Sequence, residues 1–318
     1  MESRENQYCW PKAEAVYPDR PGRSYALKRL RYRLRAFLHR GLIAQFEQFI
    51  NQHPFLVKLL NEHADYSYPL VYRFLDKRFN SQQRFNAICE NLLFIPQQLA
   101  HLNPPLWQQP LSFCEVICDN LLFLPEKLTA LSASIYKTPL SFGEVIPDFK
   151  MTLSMTTHQP MEGYWVLELW HKPRNELVYL LTFAKLDEAL LISVVQGPNF
   201  EGSKEMVKQL TKTCHGLRPA YLMVETMKAL TKALGFKTLL GIPQKYQNKS
   251  RFIQSSHYVV DYDAIFAESG GQLKDYWALP LEIDRNLDDV PSKKRSMYRK
   301  RHAMLDDLAK VIEEKLEL

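Results

Sequence analysis

The loop from Gln196 to Ser203 has the composition of an anion-binding turn. It reads Gln-Gly-Pro-Asn-Phe-Glu-Gly-Ser and separates an apolar run from a helical pattern that starts near Ser203, a plausible N-cap. Backbone amides at a helix N-terminus, together with the helix dipole, bind phosphate groups. The four residues that we predict to bind a phosphate-bearing cofactor are Gln196, Gly197, Gly202 and Ser203. Pro198 removes one amide and Glu201 adds negative charge, so a purely structural turn is the alternative.

Two more candidates follow this loop. His215 lies between two helical patterns, and an imidazole can exchange protons near neutral pH, so a catalytic role is one interpretation and helix capping is the other. Arg218 precedes a helix N-terminus, where an anion would collect, and we predict it as an anion ligand. The alternative for Arg218 is an ion pair with Glu225 or another local carboxylate.

An aromatic and acidic stretch supplies a candidate acid. It contains Tyr258, Tyr262, Asp263 and Tyr276. A tyrosine can protonate a thiolate leaving group, and Tyr276 is our candidate for that role, with packing at the edge of the core as the alternative. Glu168 could act as a base but also fits the polar face of an alternating strand. No nucleophile elbow, phosphate-binding P-loop or metal-ligand grid is present, so no metal is expected.

Positive charge is concentrated in two segments. The chain has 41 Lys and Arg against 35 Asp and Glu, but Arg20–Arg40 holds eight basic residues and Lys293–Arg301 holds six, and neither segment contains an acid. Leucines at helical spacing alternate with the first set of arginines: Leu27, Leu30, Leu34 and Leu38. This pattern predicts a basic amphipathic helix, ended by Gly41, that docks on an anionic membrane surface. A solvated helix face is the alternative, and nucleic acid is not expected because no reading motif is present.

Several classes of protein are not expected. The polar segment Met1–Gln7 does not resemble a secretory signal, and no apolar run approaches the ~18 residues of a membrane span. The five cysteines are odd in number and form no CxxC pair, which argues against a disulfide framework or a zinc site. We therefore expect a cytoplasmic protein, peripheral at the inner membrane if it docks there.

The first part of the chain contains an internal repeat. Ile88–Pro96 recurs 29 residues later as Ile117–Pro125, and Pro110–Ile117 recurs at the same offset as Pro139–Ile146. Two matches at one offset indicate a tandem duplication, too short for a self-supporting solenoid. We predict that it is packing architecture within an N-terminal helical domain spanning residues 1–147.

The pattern changes near Pro147 and predicts an antiparallel meander. Its four strands are expected around Met151–Met155, Trp165–Leu169, Leu177–Ala184 and Ala189–Val195. After the meander we predict two helices, one from Ser203 and one over Pro219–Leu234. Two strands are predicted over Phe236–Ile242 and Tyr276–Ile283, and a basic helix is predicted from Pro291. The fold class is thus α+β, with an α/β domain at 148–290 and the C-terminal helix at 291–318. This build resembles that of the acyl-CoA-dependent N-acyltransferases (GNAT-like), so acyl-CoA is the candidate cofactor.

A set of short motifs resembles the VirK/YbjX family of Gram-negative bacteria. The motifs are Gln196-Gly197-Pro198, His215-Gly216-Leu217-Arg218-Pro219, Tyr262-Asp263, Gly270-Gly271, Leu279-Pro280 and Lys294-Arg295-x-x-Tyr298-Arg299-x-Arg301. The resemblance runs from about residue 40 to the end of the chain. It implies a factor associated with virulence and with resistance to antimicrobial peptides through the cell envelope. It assigns no catalytic residue.

Two hypotheses follow for function. In the first, the protein transfers an acyl group from CoA to an amine. In the second, it is a non-catalytic regulator or adaptor that retains the fold and docks on an anionic membrane surface.

Overall fold

A computed structural model describes residues 7–18, 25–99, 139–156, 159–248, 260–288 and 290–316. The chain divides into two compact units, Met1–Thr138 with Thr157–Tyr164, and Pro139–Thr156 with Trp165–Leu318. Three sequence features lie outside the described residues: Arg20 and Arg23, Tyr258, and the repeat copies within 110–125.

The first unit is helical. Its helices are α1 (Ala13–Val16), α2 (Ala26–Leu38), α3 (Arg40–Asn51), α4 (Pro54–Glu62), α5 (Tyr68–Val71) and α6 (Ser81–Gln98). A reciprocal capping box begins α6, in which Asn80 and Gln83 each accept a hydrogen bond from the other's backbone amide. The core consists of fully buried apolar side chains, among them Phe46, Ile50, Leu56, Leu60, Leu70 and Ile88.

The predicted end of α2 at Gly41 is wrong. The helix ends at Leu38, and Gly41 lies in the first turn of α3. The break falls at His39, whose Nδ1–H donates to the Arg35 carbonyl over 2.8 Å and satisfies a backbone group at the helix end. The helix therefore ends three residues before the glycine that we expected to end it.

The second unit contains an eight-stranded mixed sheet in the order β1-β2-β3-β4-β5-β6-β8-β7. The strands are β1 (Leu140–Ile146), β2 (Phe149–Met155), β3 (Trp165–His171), β4 (Glu176–Leu186), β5 (Ala189–Gln196), β6 (Leu239–Gly241), β7 (Gln272–Leu273) and β8 (Trp277–Leu279). Strands β2 to β5 form the predicted antiparallel meander, and β5 pairs with β6 in parallel. The sheet begins at Leu140, so the repeat copy Pro139–Ile146 forms a strand and is not part of a helical domain ending at 147.

The strands after the meander are shorter than predicted. β6 covers three residues of the expected Phe236–Ile242, and β8 ends before Pro280, which cannot donate a ladder hydrogen bond. The short strand β7, which pairs with β8, was not expected. Gly241 in β6 permits close packing, because a Cβ there would lie 2.6 Å from the Phe266 ring.

The described residues of the second unit also form α7 (Ser203–Thr213), α8 (Pro219–Ala233), α9 (Tyr262–Glu268) and α10 (Ser292–Leu316). Proline at the first position of α8 and Gly235 in the left-handed region after its end confirm the predicted helix there. The predicted apolar stripe of α10 is buried, and this helix packs on α8 and β1. Ser203 is the first residue of α7 and not its N-cap, which is Gly202.

Candidate functional site

A β-bulge interrupts the pairing of β4 with β5. Thr182 pairs with Val194 and Phe183 with Ile192, so Ser193 is an extra residue in β5. Its hydroxyl donates to the Thr182 carbonyl over 3.0 Å. The Gln247 side-chain amide donates to the Ser193 carbonyl, also over 3.0 Å, and this bond is buried. The bulge is thus held from both sides by hydrogen bonds.

The bulge marks the point at which β5 leaves β6. The parallel ladder between them ends at Ile192, whose carbonyl accepts from the Ile242 amide over 3.0 Å. β5 continues to Gln196, opposite Leu180 of β4. Within the described residues, the last three positions of β5 have a ladder partner only in β4, and Ser193 has none. The end of β5 and the loop after it therefore present backbone groups that the sheet does not use on that edge.

The predicted cofactor residues follow one another along this loop. Gln196 ends β5, and Gly197 packs against Tyr179, since a Cβ there would lie 3.1 Å from the tyrosine Cζ and Oη. Burial raises the pKa of Tyr179. Gly202 has a φ of 79°, which places the chain for the start of α7. The Ser203 amide donates to the Phe200 carbonyl over 3.2 Å, so the loop's own turn uses that donor.

Arg218 has a carboxylate partner. Its guanidinium forms an ion pair with Glu268 and lies 2.7 Å from the Tyr221 hydroxyl, which donates to the same carboxylate over 2.6 Å. Burial, followed by the hydrogen bond to Glu268, raises the pKa of Tyr221 to about 12. Glu225, the partner that we considered from the sequence, instead pairs with Lys228. Any anion at Arg218 would have to compete with Glu268.

His215 ends α7 through its backbone. Its φ of 51° lies in the left-handed region, and its carbonyl accepts from Arg301 Nη2 over 2.9 Å. The Arg301 guanidinium also lies 4.3 Å from the centre of the Tyr298 ring. These contacts give the C-terminal basic motif a structural role that the sequence did not reveal, because the partners lie 86 residues apart. A catalytic role for the His215 imidazole stays a prediction.

The described members of the aromatic and acidic stretch lie around β8. Tyr276 is half-buried in the turn between β7 and β8. Asp263 accepts from the Gln244 amide over 3.0 Å and from Trp277 Nε1 over 2.7 Å, so it joins three segments. Tyr262 is buried. Asp263 and Tyr262 therefore fit the packing alternative, and the role of Tyr276 as an acid stays a prediction.

Glu168 forms a polar centre on one face of the sheet. Its Oε2 accepts from Trp170 Nε1 over 3.2 Å and from the hydroxyls of Thr152 and Ser154 over 3.4 Å. Thr152 and Ser154 of β2 are buried, and so is Thr182 of β4, on the other side of β3. These donors orient the carboxylate, and its role as a base stays a prediction.

The described residues contain neither a cluster of metal ligands nor a helix that could cross a membrane. No group of three or more His, Cys, Asp or Glu side chains is placed there to hold a metal ion. No helix there combines the length and apolar character needed to span a bilayer. Burial raises the pKa of Cys89 and Cys214 to about 12, which keeps these two thiols protonated.

The arginines of α2 contact the protein itself. Arg29 donates to the Tyr17 carbonyl over 2.9 Å, Arg33 pairs with Glu14, and Arg35 donates to Tyr68. We expected this helix to dock on an anionic membrane surface through its leucines and arginines together. Its leucines are exposed, and so are Arg31 and Arg33.

Comparison with known proteins identifies the family. The model described as "Protein of unknown function (DUF535)" matches residues 21–116 and 112–314. The chain belongs to the DUF535 family. This is the VirK/YbjX family, so the resemblance seen in the motifs is confirmed. The two matched segments overlap within the duplicated stretch, at residues 112–116.

Relatives from three bacteria extend this result. A Haemophilus influenzae protein described as uncharacterized is 72% identical over 98% of this chain and 97% of its own length. "Membrane protein LapB" of Mannheimia haemolytica is 58% identical over 77% of this chain and 96% of its own. YbjX of Escherichia coli is 27% identical over 42% of each chain. No solved structure gives a significant match.

Proposed function

We propose that this DUF535 protein binds an acyl-CoA and transfers the acyl group to an amine. The observation that carries the proposal is the bulge at Ser193, where β5 leaves β6 and continues into a loop that begins a helix. A strand edge released from its neighbour, beside a helix N-terminus, offers amides to a pyrophosphate. We further propose that the eight-stranded mixed sheet is the GNAT-like build expected from the sequence.

The reaction would be an aminolysis. The amine nitrogen attacks the thioester carbonyl carbon, the carbon–sulfur bond breaks, and the products are an amide and free CoA. The amine gives up one proton and the departing thiolate gains one. Tyr276 is the proposed donor to the thiolate, and Glu168 or His215 is the proposed acceptor from the amine.

Calorimetric titration with CoA and with acetyl-CoA tests the binding step. We expect saturable heat and a raised melting temperature with both ligands, since a ligand that binds only the folded state stabilises it. Adenosine is the matched control, because it lacks the pyrophosphate that the loop is proposed to hold. No heat at millimolar CoA, together with no thermal shift, would remove the enzymatic proposal.

A non-catalytic adaptor is the second candidate. Arg218 is already paired with Glu268, and Pro198 offers no amide in the loop, both of which weaken a cofactor site. A relative that is 58% identical carries the name "Membrane protein LapB", which favours docking on an anionic membrane surface. Vesicle binding without any CoA binding would favour this candidate over the enzyme.

Either candidate is proposed to act on the cell envelope from the cytoplasmic side, peripheral at the inner membrane. The proposed outcome is the contribution to virulence and antimicrobial-peptide resistance that the family resemblance implies. A strain lacking the gene should be killed by a lower concentration of a cationic peptide than its parent. Restoring the gene should restore resistance, and equal killing of all three strains would contradict the proposal.

A further inference from the structure

The apolar stripe of α2 faces outward. Five of its side chains are between 58% and 68% exposed: Leu27, Leu30, Leu34, Phe37 and Leu38. At 3.6 residues per turn they fall within an arc of roughly 100°. A helix on a folded protein normally turns such a stripe to the core, so an exposed stripe of this size marks an interaction surface.

The opposite side of α2 attaches the helix to its unit. Tyr32 is 2% exposed, stacks on Trp10 at 6.2 Å and donates to the Pro11 carbonyl over 2.8 Å. Arg35 donates to Tyr68 over 2.9 Å and lies 4.2 Å from the centre of the Tyr72 ring. An aromatic and cationic face therefore holds the helix in place, which fixes the leucine side towards the outside.

The charges beside the stripe identify its partner. Arg31 borders one side of the stripe and is exposed. Arg33 borders the other side, with its side chain 61% exposed although it pairs with Glu14. Ala26–Leu38 contains no acidic residue. A second copy of this helix would bring like charges together, which disfavours self-association. An anionic lipid surface complements the arginines and accepts the leucines at the boundary of headgroups and acyl chains.

We propose that α2 inserts its leucine stripe into the interface of an anionic bilayer, with Arg31 and Arg33 at the headgroups. This inference rests on the membrane partner of the second candidate function and does not depend on catalysis. It keeps the membrane-docking helix that the sequence predicts and specifies that the leucines enter the bilayer, while Arg29 and Arg35 hold the helix on the protein.

Vesicle co-sedimentation of the full chain tests the proposal. Vesicles of phosphatidylethanolamine with phosphatidylglycerol should bind the wild type, and vesicles of phosphatidylcholine should bind it more weakly. The double variant Leu30→Gln with Leu34→Gln should lose at least tenfold in partitioning, since burying one leucine is worth about tenfold or more. Leu273→Gln is the matched control, because Leu273 is 52% exposed but lies in β7, and it should bind like the wild type.

Three results would overturn the proposal. One is unchanged vesicle binding by the double variant, and another is equal binding to neutral and anionic vesicles. The third is a dimer in sedimentation equilibrium that the double variant abolishes, without vesicle binding by the wild type. Both leucines are exposed, so the melting temperature should not change and misfolding can be recognised. CoA titration of the same variants separates a failure of this inference from a failure of the enzymatic proposal.

Discussion

Replacing Gln247 by alanine tests whether the β5 bulge is held in place as described. The Gln247 amide donates to the Ser193 carbonyl over 3.0 Å, across 54 residues of sequence, in a buried position. Alanine leaves this carbonyl without that donor. A buried polar group that loses its partner costs about 1–3 kcal/mol. We therefore expect the free energy of unfolding to fall by roughly that amount.

Urea unfolding followed by tryptophan fluorescence measures this loss. Gln209→Ala is the matched control, because Gln209 is exposed on α7, and an exposed substitution changes stability by no more than about 0.5 kcal/mol. If the bulge shapes a CoA site, the Gln247 variant should also bind CoA more weakly. Each 1.4 kcal/mol that the variant spends on restoring the bulge would lower the affinity by about tenfold. Equal stability of the two variants would refute the argument.

Three further predictions follow from contacts in the structure. Gly197→Ala should lower the free energy of unfolding by about 1–3 kcal/mol, because the new Cβ would lie 3.1 Å from Tyr179. The additional change Tyr179→Ala should remove most of this loss, and a double-mutant cycle in thermal unfolding measures it. Arg31→Gln should leave the melting temperature unchanged and weaken vesicle binding about fivefold, whereas Arg35→Gln should lower the melting temperature through its lost contacts with Tyr68 and Tyr72. A hydrogen bond from Arg285 lowers the pKa of Asp306 below its usual 3.8. The pair therefore stabilises the fold above pH 3.8, and this stabilisation is lost as the pH falls further. Asp306→Asn should flatten this part of the acid unfolding curve.

Local signals in the sequence predicted α8, α10 and the meander correctly. Pro219 and Gly235 bracket α8 because each has a backbone preference that acts without any tertiary contact. The apolar stripe of α10 likewise reports burial directly. These features depend only on neighbouring residues.

The sequence could not predict contacts between distant segments. The pairing of Arg218 with Glu268 and that of Gln247 with Ser193 join residues 50 and 54 positions apart. Strand β1 was missed because its residues belong to a repeat that we assigned to helical packing. The sequence also left open how α2 is attached. Spacing shows that a helix has two faces but does not show which face meets the protein, and here Tyr32 and the arginines provide the attachment.

Hydrogen exchange of the backbone amides, with and without CoA, tests the central claim most directly. The claim is that the end of β5 and the loop to α7 hold the pyrophosphate of CoA. We predict slower exchange on CoA addition at amides between Val194 and Ser203, with adenosine giving no such protection. Unchanged exchange across this segment at a CoA concentration that saturates the calorimetric signal would contradict the account, because CoA would then be bound elsewhere.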